Sequence, residues 1–323
     1  EPPYLENLPR EAFTLAKGLK AAGYATACIG KWHLTVNADG NYNLLNQSAA
    51  AHYGFDVSAK PNVRPNEQAT GDKGAGRLTD EAIAFVRAHQ GVRPYFLYLP
   101  HHTIHGKVSA PGELVAKDRE RGAPETGFQN ATYLAALEHM DTCVGRLLAA
   151  VDRDNTIVLF LSDNGGVVEN YDVVGQRMAV RERQFENPPL RAGKGSAYEG
   201  GIRVPLLIRW PGRARAGLVV RTPAHAVDLL PTLFAVAGAQ APSGYVLDGV
   251  DLRPLLSGGR LRERPLFWHM PFYDYRWAHT PAAAMRQGGI IPPVNSDAVY
   301  PLLCGASPSF LLSPIGGPME KAE

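Results

Sequence analysis

The chain has 323 residues, 45% hydrophobic and 20% charged, with a formal net charge of +2 from 33 Lys and Arg against 31 Asp and Glu. That is enough apolar mass for one large domain or two, and so even a charge balance gives no reason to expect nucleic acid as a partner. No apolar run reaches membrane-span length, and the three cysteines, Cys28, Cys143 and Cys304, odd in number and without CxxC or Cys/His zinc spacing, argue against structural zinc or a disulfide framework.

Residues 10–22, "REAFTLAKGLKAA", put Leu15, Leu19 and Ala22 on one helical face and stop at Gly23, a natural C-cap. "YATACIG" then reads as a strand, with Cys28 a small core residue. A helix is expected over 79–89, with Thr79 as N-cap, Asp80 and Glu81 in its first turn, and Ile83 and Val86 inward. The strand "YFLYL" follows Gly91. Over 128–152, Tyr133, Leu137, Met140, Val144, Leu147 and Val151 recur at helical spacing, and "TIVLFLS" follows a turn at Asp154-Asn155. The arginines at 181–183 and 213–221 are interrupted by Glu, Gly and Ala and read as solvated loops. "VPLLIRW" is a fourth apolar run, and "AVDLLPTLFAVAG" a helix with Pro231 near its start.

Helix followed by apolar strand, three times over, predicts an α/β fold with a mainly parallel sheet sandwiched by helices. Ligands of such sheets bind beyond the carboxyl ends of the strands. If "TACIG", "YFLYL" and "IVLFLS" are parallel neighbours, then Lys31 and His33, then His101, His102 and His105, then Asp163 and Asn164 share one rim.

Asp163 and Asn164 are oxygen donors of the kind Ca²⁺ or Mg²⁺ takes, although two are too few and Asp-Asn-Gly is also ordinary turn chemistry. Lys31 and His33 alternate along an extended chain, which gives them one face: a cation for an anionic oxygen and a group that moves protons near neutral pH. Three histidines in 101–105 come with no thiolate or third spaced ligand group, so zinc is disfavoured. Lys194 in "RAGKGSAYEGGIRVP" fails the phosphate-loop pattern, since Pro188 stands where its first Gly belongs and Gly195 follows the Lys. It remains a Lys on a glycine-rich loop, with Glu199 and Arg203 read as a structural ion pair. A divalent cation, two lysines and two histidines suit a tetrahedral oxyanion ester.

"ENLPREAFTLAKGLKAAGYATACIGKWHL", "HYGFD", "LYLPHHTIH", "LFLSDNGG", "GKGSAYEGGIRVPLLIRWPG", "AVDLLPTLFAVAG" and "LDGVDLRPLLSG" stand in the order found in the sulfatase family of the alkaline-phosphatase-like superfamily, which the chain resembles over residues 5–288. The resemblance implies hydrolysis of sulfate esters with a bound Ca²⁺ (or Mg²⁺). It matches Asp163 and Asn164 to two metal ligands, and Lys31 and Lys194 to the lysines that grip the sulfate. His33 corresponds to the histidine acting on the nucleophile's hydroxyl, and His105, by register in "HHTIH", to the one contacting the sulfate near the leaving group. His101 matches a position further from the chemistry. The implied partner is a small-molecule or glycan sulfate ester, and the implied location periplasmic, lysosomal or secreted.

The family's nucleophile is a formylglycine made from the Cys or Ser of C/S-x-P-x-R, upstream of the segment resembling residues 5–34. No such motif occurs in residues 1–323, nor does the usual Asp pair of the first strand. The expectation is therefore an N-terminally incomplete sulfatase-like α/β domain, 1–288, missing its first strand region. The Pro-, Gly- and Ser-rich 289–323 is expected to be an atypical, poorly ordered tail, from a divergent end or a shifted reading frame. Two other readings stay open, a non-catalytic anion-binding remnant and a phosphoesterase of the same superfamily with a Thr or Ser nucleophile. Residues 35–75 and 106–127 are expected to be variable loops that shape the alcohol side.

Overall fold

Thr14 starts the first helix, its Oγ1 accepting the Lys17 N–H at 3.1 Å. The computed structural model describes residues 7–35, 47–59, 71–106, 108–127, 129–174, 177–183, 186–270, 282–288 and 293–295. In chain order the elements are α1 (Leu15–Ala21), β1 (Ala25–Ile29), α2 (Gln47–His52), β2 (Val57–Ala59), α3 (Ala75–His89), β3 (Tyr95–Tyr98), α4 (Gly112–Glu120) and α5 (Ala131–Ala150). Then come β4 (Val158–Leu161), β5 (Glu169–Val174), β6 (Arg177–Arg183), α6 (Glu199–Ile202), β7 (Leu206–Arg209), α7 (Leu229–Ala237), α8 (Arg253–Leu256), β8 (Leu266–Met270), β9 (Ala282–Arg286) and β10 (Pro293–Asn295). They divide into a larger unit, Leu5–Leu159 with Ile208–Leu261, and a smaller one holding Phe160–Leu207 and the described residues after Leu261.

The larger unit is built on a parallel sheet of order β2-β1-β3, with Ala27 opposite Val57 and Thr26 opposite Phe96. β1 has a strand on each side and is buried throughout, which is why its sequence is apolar or small at every position. Cys28 packs on one face with Ala16, Trp32, Ala50, Tyr53 and Phe55, while Ala25, Ala27 and Ile29 meet Leu78, Ala82 and Phe85 of α3 on the other. Burial pushes the Cys28 thiol up to about 12, consistent with a core residue and not a nucleophile. Cys143 is buried too, and Cys304 lies outside the described residues.

Several local expectations are corrected. α3 starts at Ala75, not Thr79, because Asp72 does the capping: its two oxygens accept from Gly74 N at 2.8 Å and Gly76 N at 2.9 Å. Thr79 is buried inside the helix, its Oγ1 donating to Ala75 O at 2.7 Å. The innermost residues of α5 are Ala131, Ala135, Ala136 and Cys143, small side chains that let the helix approach closely. The predicted stripe from Tyr133 to Val151 is only half-buried. α4 forms within 106–127, where Leu114 and Val115 were too few to signal a helix; Val115 packs against Ala131 and Ala135. Arg181 and Arg183 belong to β6, paired antiparallel with β5, not to a loop. β4 is not a neighbour of β1 or β3 but pairs with β7 as a two-stranded ladder. Within the smaller unit β8, β9 and β10 form an antiparallel sheet; beyond β10, the rest of the expected tail 289–323 lies outside the described residues. No helix among the described residues is long and apolar enough to cross a membrane.

Pro231 sits in the first turn of α7, as expected, and a fully buried carboxylate just before it anchors the segment that follows the helix. Asp228 accepts from His225 N at 2.7 Å and Val250 N at 2.9 Å, while Thr232 Oγ1 accepts from Leu252 N at 2.9 Å. Asp228→Ala orphans two backbone donors at once and is expected to cost about 3 kcal/mol in urea unfolding, with Asp228→Asn intermediate.

Candidate functional site

Gly30 ends β1 in a conformation (φ 137°) open to glycine, and a Cβ there would collide with the Pro100 carbonyl. That carbonyl accepts the Lys31 N–H at 2.9 Å, while Gly30 N donates to Ala59 O at 2.8 Å. The carboxyl ends of all three strands are thus stitched together, and Lys31 comes beside the segment that carries His101 to His105. Trp32 turns into the core, its ring 5.2 Å from Tyr53, its Nε1 donating to Thr35 Oγ1 at 3.0 Å. His33 is exposed and left-handed (φ 62°), so the extended alternation expected of Lys31 and His33 does not exist.

The structure gathers Lys31, His33, His102, His105 and Lys73 around one another. The His102 and His105 rings lie 5.0 Å apart. Burial drives His102 down to about 3, helped by the charges of Lys73, His105, Lys31 and His33, so its imidazole is neutral across the physiological range. Lys73 is pushed down to about 8, first by burial and then by Lys31, and its Nζ donates to the His105 carbonyl. His101 is held below its usual value by burial and by His139, and neither ring nitrogen has a hydrogen-bond partner among the described residues. His139 on α5 meets Asp72 through Nε2 at 3.2 Å, which links the α3 cap to this cluster.

Lys73, Asp72 and His139 were not singled out in the sequence. Asp72 and Lys73 lie in the stretch read as a variable loop, although "GDKG" could have suggested a capped turn. His139 falls between Ala135 and Cys143 at helical spacing, a polar residue on an inward face, and that signal was available.

In the smaller unit, Asp163 and Asn164 lead into two glycines that fix a second cluster. Asp163 is exposed and its Oδ1 accepts from Asn164 N at 3.0 Å; Asn164 Nδ2 donates to Gly165 O at 2.9 Å. Lys194 N donates to Gly166 O at 3.1 Å, placing the Lys194 loop directly against the Asp163 loop. Asn187 clamps the two: Oδ1 accepts from Gly166 N at 3.1 Å, and Nδ2 donates to Gly166 O at 3.1 Å and Ala192 O at 3.0 Å. Glu199 forms the expected pair with Arg203 at 3.5 Å and a second with Arg286 at 3.2 Å. Among the described residues no group of three or more His, Cys, Asp or Glu is placed to hold a metal. The Asp163 carboxylate and Asn164 amide are hard donors that fit one edge of a Ca²⁺ or Mg²⁺ shell without completing it.

Comparison with known proteins identifies the family. The family model Sulfatase matches residues 1–239, and the model N-sulphoglucosamine sulphohydrolase, C-terminal, matches residues 193–289. N-acetylgalactosamine-6-sulfatase of Homo sapiens is 29% identical over 289 residues, covering 81% of this chain and 52% of its own length. Arylsulfatase A of Bos taurus is 33% identical over 313 residues, covering 85% of this chain and 57% of its own. The chain therefore spans little more than half of either relative. The crystal structure of Ps i-CgsB in complex with k-i-k-neocarrahexaose superposes with a TM-score of 0.68 at 26% identity, over 87% of this chain and 64% of that one. With its α/β architecture and the order of its motifs, the chain belongs to the sulfatase family.

Proposed function

We propose that residues 1–288 are the sulfatase-like region of a sulfuric ester hydrolase and bind the sulfate ester on which that enzyme acts. The observation that carries this is the stitching of β1 to β3, which holds Lys31 against the His102–His105 pair. In this reading Lys31 and Lys194 each keep the role of the sulfate-gripping lysine to which the resemblance matches them, each ammonium presenting up to three donors. His105, together with His102, donates to the ester from an imidazole. His102, kept neutral by burial, orients an oxygen without itself bringing a charge. His33, exposed at the edge of the cluster, exchanges protons with the nucleophile's hydroxyl. Asp163 and Asn164 would hold one edge of a divalent cation, and a Ca²⁺ there would supply Lewis-acid polarisation of the sulfate oxygens.

The substrate is proposed to be a glycan or small-molecule sulfate ester. Its support is the activity in the name of one relative, an N-acetylgalactosamine-6-sulfatase, and the neocarrahexaose bound to Ps i-CgsB. Covalent catalysis needs a nucleophile, and residues 1–323 contain no C/S-x-P-x-R. The 323-residue chain by itself is therefore expected to bind 4-nitrophenyl sulfate without releasing 4-nitrophenolate. Titration calorimetry is expected to show Lys31→Ala and Lys194→Ala each weakening that binding about 10-fold, the loss of one charge-assisted contact. Unchanged affinity in both variants would remove the site. Release of 4-nitrophenolate above a Lys194→Ala control would show that the nucleophile lies within these residues.

A further inference from the structure

Lys73 lies in a segment whose backbone is costly to form. Gly71 (φ 69°), Lys73 (φ 52°) and Gly74 (φ 78°) are all left-handed, and for a residue with a Cβ that region costs roughly 1–2 kcal/mol. The turn is held from two sides. Asp72 accepts from Gly74 N and Gly76 N and meets His139, and a Cβ on Gly71 would collide with the Ala110 carbonyl. What the strained turn delivers is the Lys73 ammonium, carried to the His105 carbonyl and within electrostatic reach of Lys31 and His102.

Two ammonium groups brought together from separate loops repel each other. The repulsion turns to advantage when anions bind. A sulfate ester carries one negative charge, and Lys31 and Lys194 already serve it in the proposed reading. Lys73 is a further cation. One of its three donors is taken by the His105 carbonyl, and the others remain to face an incoming oxygen.

We propose that Lys73 is a specificity-determining residue: beside Lys31 and the His102–His105 pair it forms a subsite for a second anionic group, a sulfate or a carboxylate, on the same substrate molecule. The preferred ligand is thus a multiply charged ester. This rests on the reading of Lys31 as a sulfate-gripping residue. A purely structural role, bracing the His105 loop, would make no distinction between singly and doubly charged ligands.

Non-hydrolysable probes with a common ring test it on the full chain: benzenesulfonate with one anionic group, and 1,3-benzenedisulfonate and 3-sulfobenzoate with two. Binding is measured by calorimetry at low salt, where exposed charges are least screened. Wild type is expected to bind at least one dianion about 10-fold more tightly than benzenesulfonate, as for one added charge-assisted contact. Which dianion gains more tells sulfate from carboxylate. Lys73→Gln should abolish the preference, and Lys73→Arg should restore it. Lys73→Met, which keeps the aliphatic stem, repeats the test should the Gln variant melt early. No dianion preference in wild type, a preference that survives Lys73→Gln and Lys73→Met, or equal weakening toward all three probes would overturn the proposal. Lys31→Ala separates the two readings: it should weaken every probe, and if it weakens none, the sulfate site itself is wrong and the subsite falls with it.

Discussion

Gly165→Ala is expected to destabilise the smaller unit by more than about 3 kcal/mol, beyond the usual cost of overpacking. A Cβ on Gly165 would overlap the Gly200 carbonyl oxygen and lie 2.7 Å from its carbon, so the clash is with backbone and not with a movable side chain. The Gly200 segment has nowhere to go. Gly200 is itself pressed on the Ala192 carbonyl and Gly201 on that of Ser196, with Cβ-to-carbon separations of 2.7 and 3.0 Å. The same contacts bring Lys194 to the Asp163–Asn164 loop, so stability and function should fail together. Hydrogen exchange is expected to lose protection at the Gly165 and Lys194 amides, and affinity for 4-nitrophenyl sulfate to fall at least as far as in Lys194→Ala. Gly145→Ala on α5, with open space around it, is the control and should be neutral or slightly stabilising. A Gly165→Ala chain as stable as wild type would contradict the packing of these loops.

The second large effect is on pH dependence. His102 takes its proton at about 3 when folded and near its ordinary value of 6.5 when unfolded. Between those values the unfolded chain binds more protons than the folded one, so stability is full above pH 6.5 and declines as pH falls toward 3. The difference amounts to roughly 3–5 kcal/mol once pH has passed through the whole window. His101, lowered by burial and by His139, adds in the same direction. Carboxylates also titrate in part of this range, so the informative quantity is the difference between wild type and His102→Gln. Urea unfolding at pH 7 and pH 4.5 should show wild type losing more stability than the variant. Parallel losses would mean that the folded His102 is not desolvated in this way.

Much of the larger unit was legible because its signals are local. β1 is an unbroken run of small and apolar residues, and only a strand buried on both faces requires that. The parallel pairing of β1 with β3 followed from the repeated order of helix and apolar strand. The start of α3 was misread because its cap is an Asp in a left-handed turn, three residues before the helix, while Thr79-Asp80-Glu81 imitates a helix start inside it. α4 was passed over because its inward face amounts to little more than Val115 and Asp118. The expected alternation of Lys31 and His33 failed at a single dihedral angle: Trp32 enters the core, and the chain turns left-handed at His33 immediately after it.

The sequence by itself determined the family, the α/β class, and the residues Lys31, His33, His105, Asp163, Asn164 and Lys194 as those to watch. Motifs and apolar runs are properties of neighbouring residues, and they survive whatever the rest of the chain does. Only the tertiary structure decided that β4 pairs with β7, that Asn187 clamps the Asp163 loop to the Lys194 loop, and that Lys73 and His102 join Lys31. Those partners lie far apart along the chain, and what selects them is the excluded volume of glycine contacts and the need of each buried polar group for a partner. Neither leaves a local pattern.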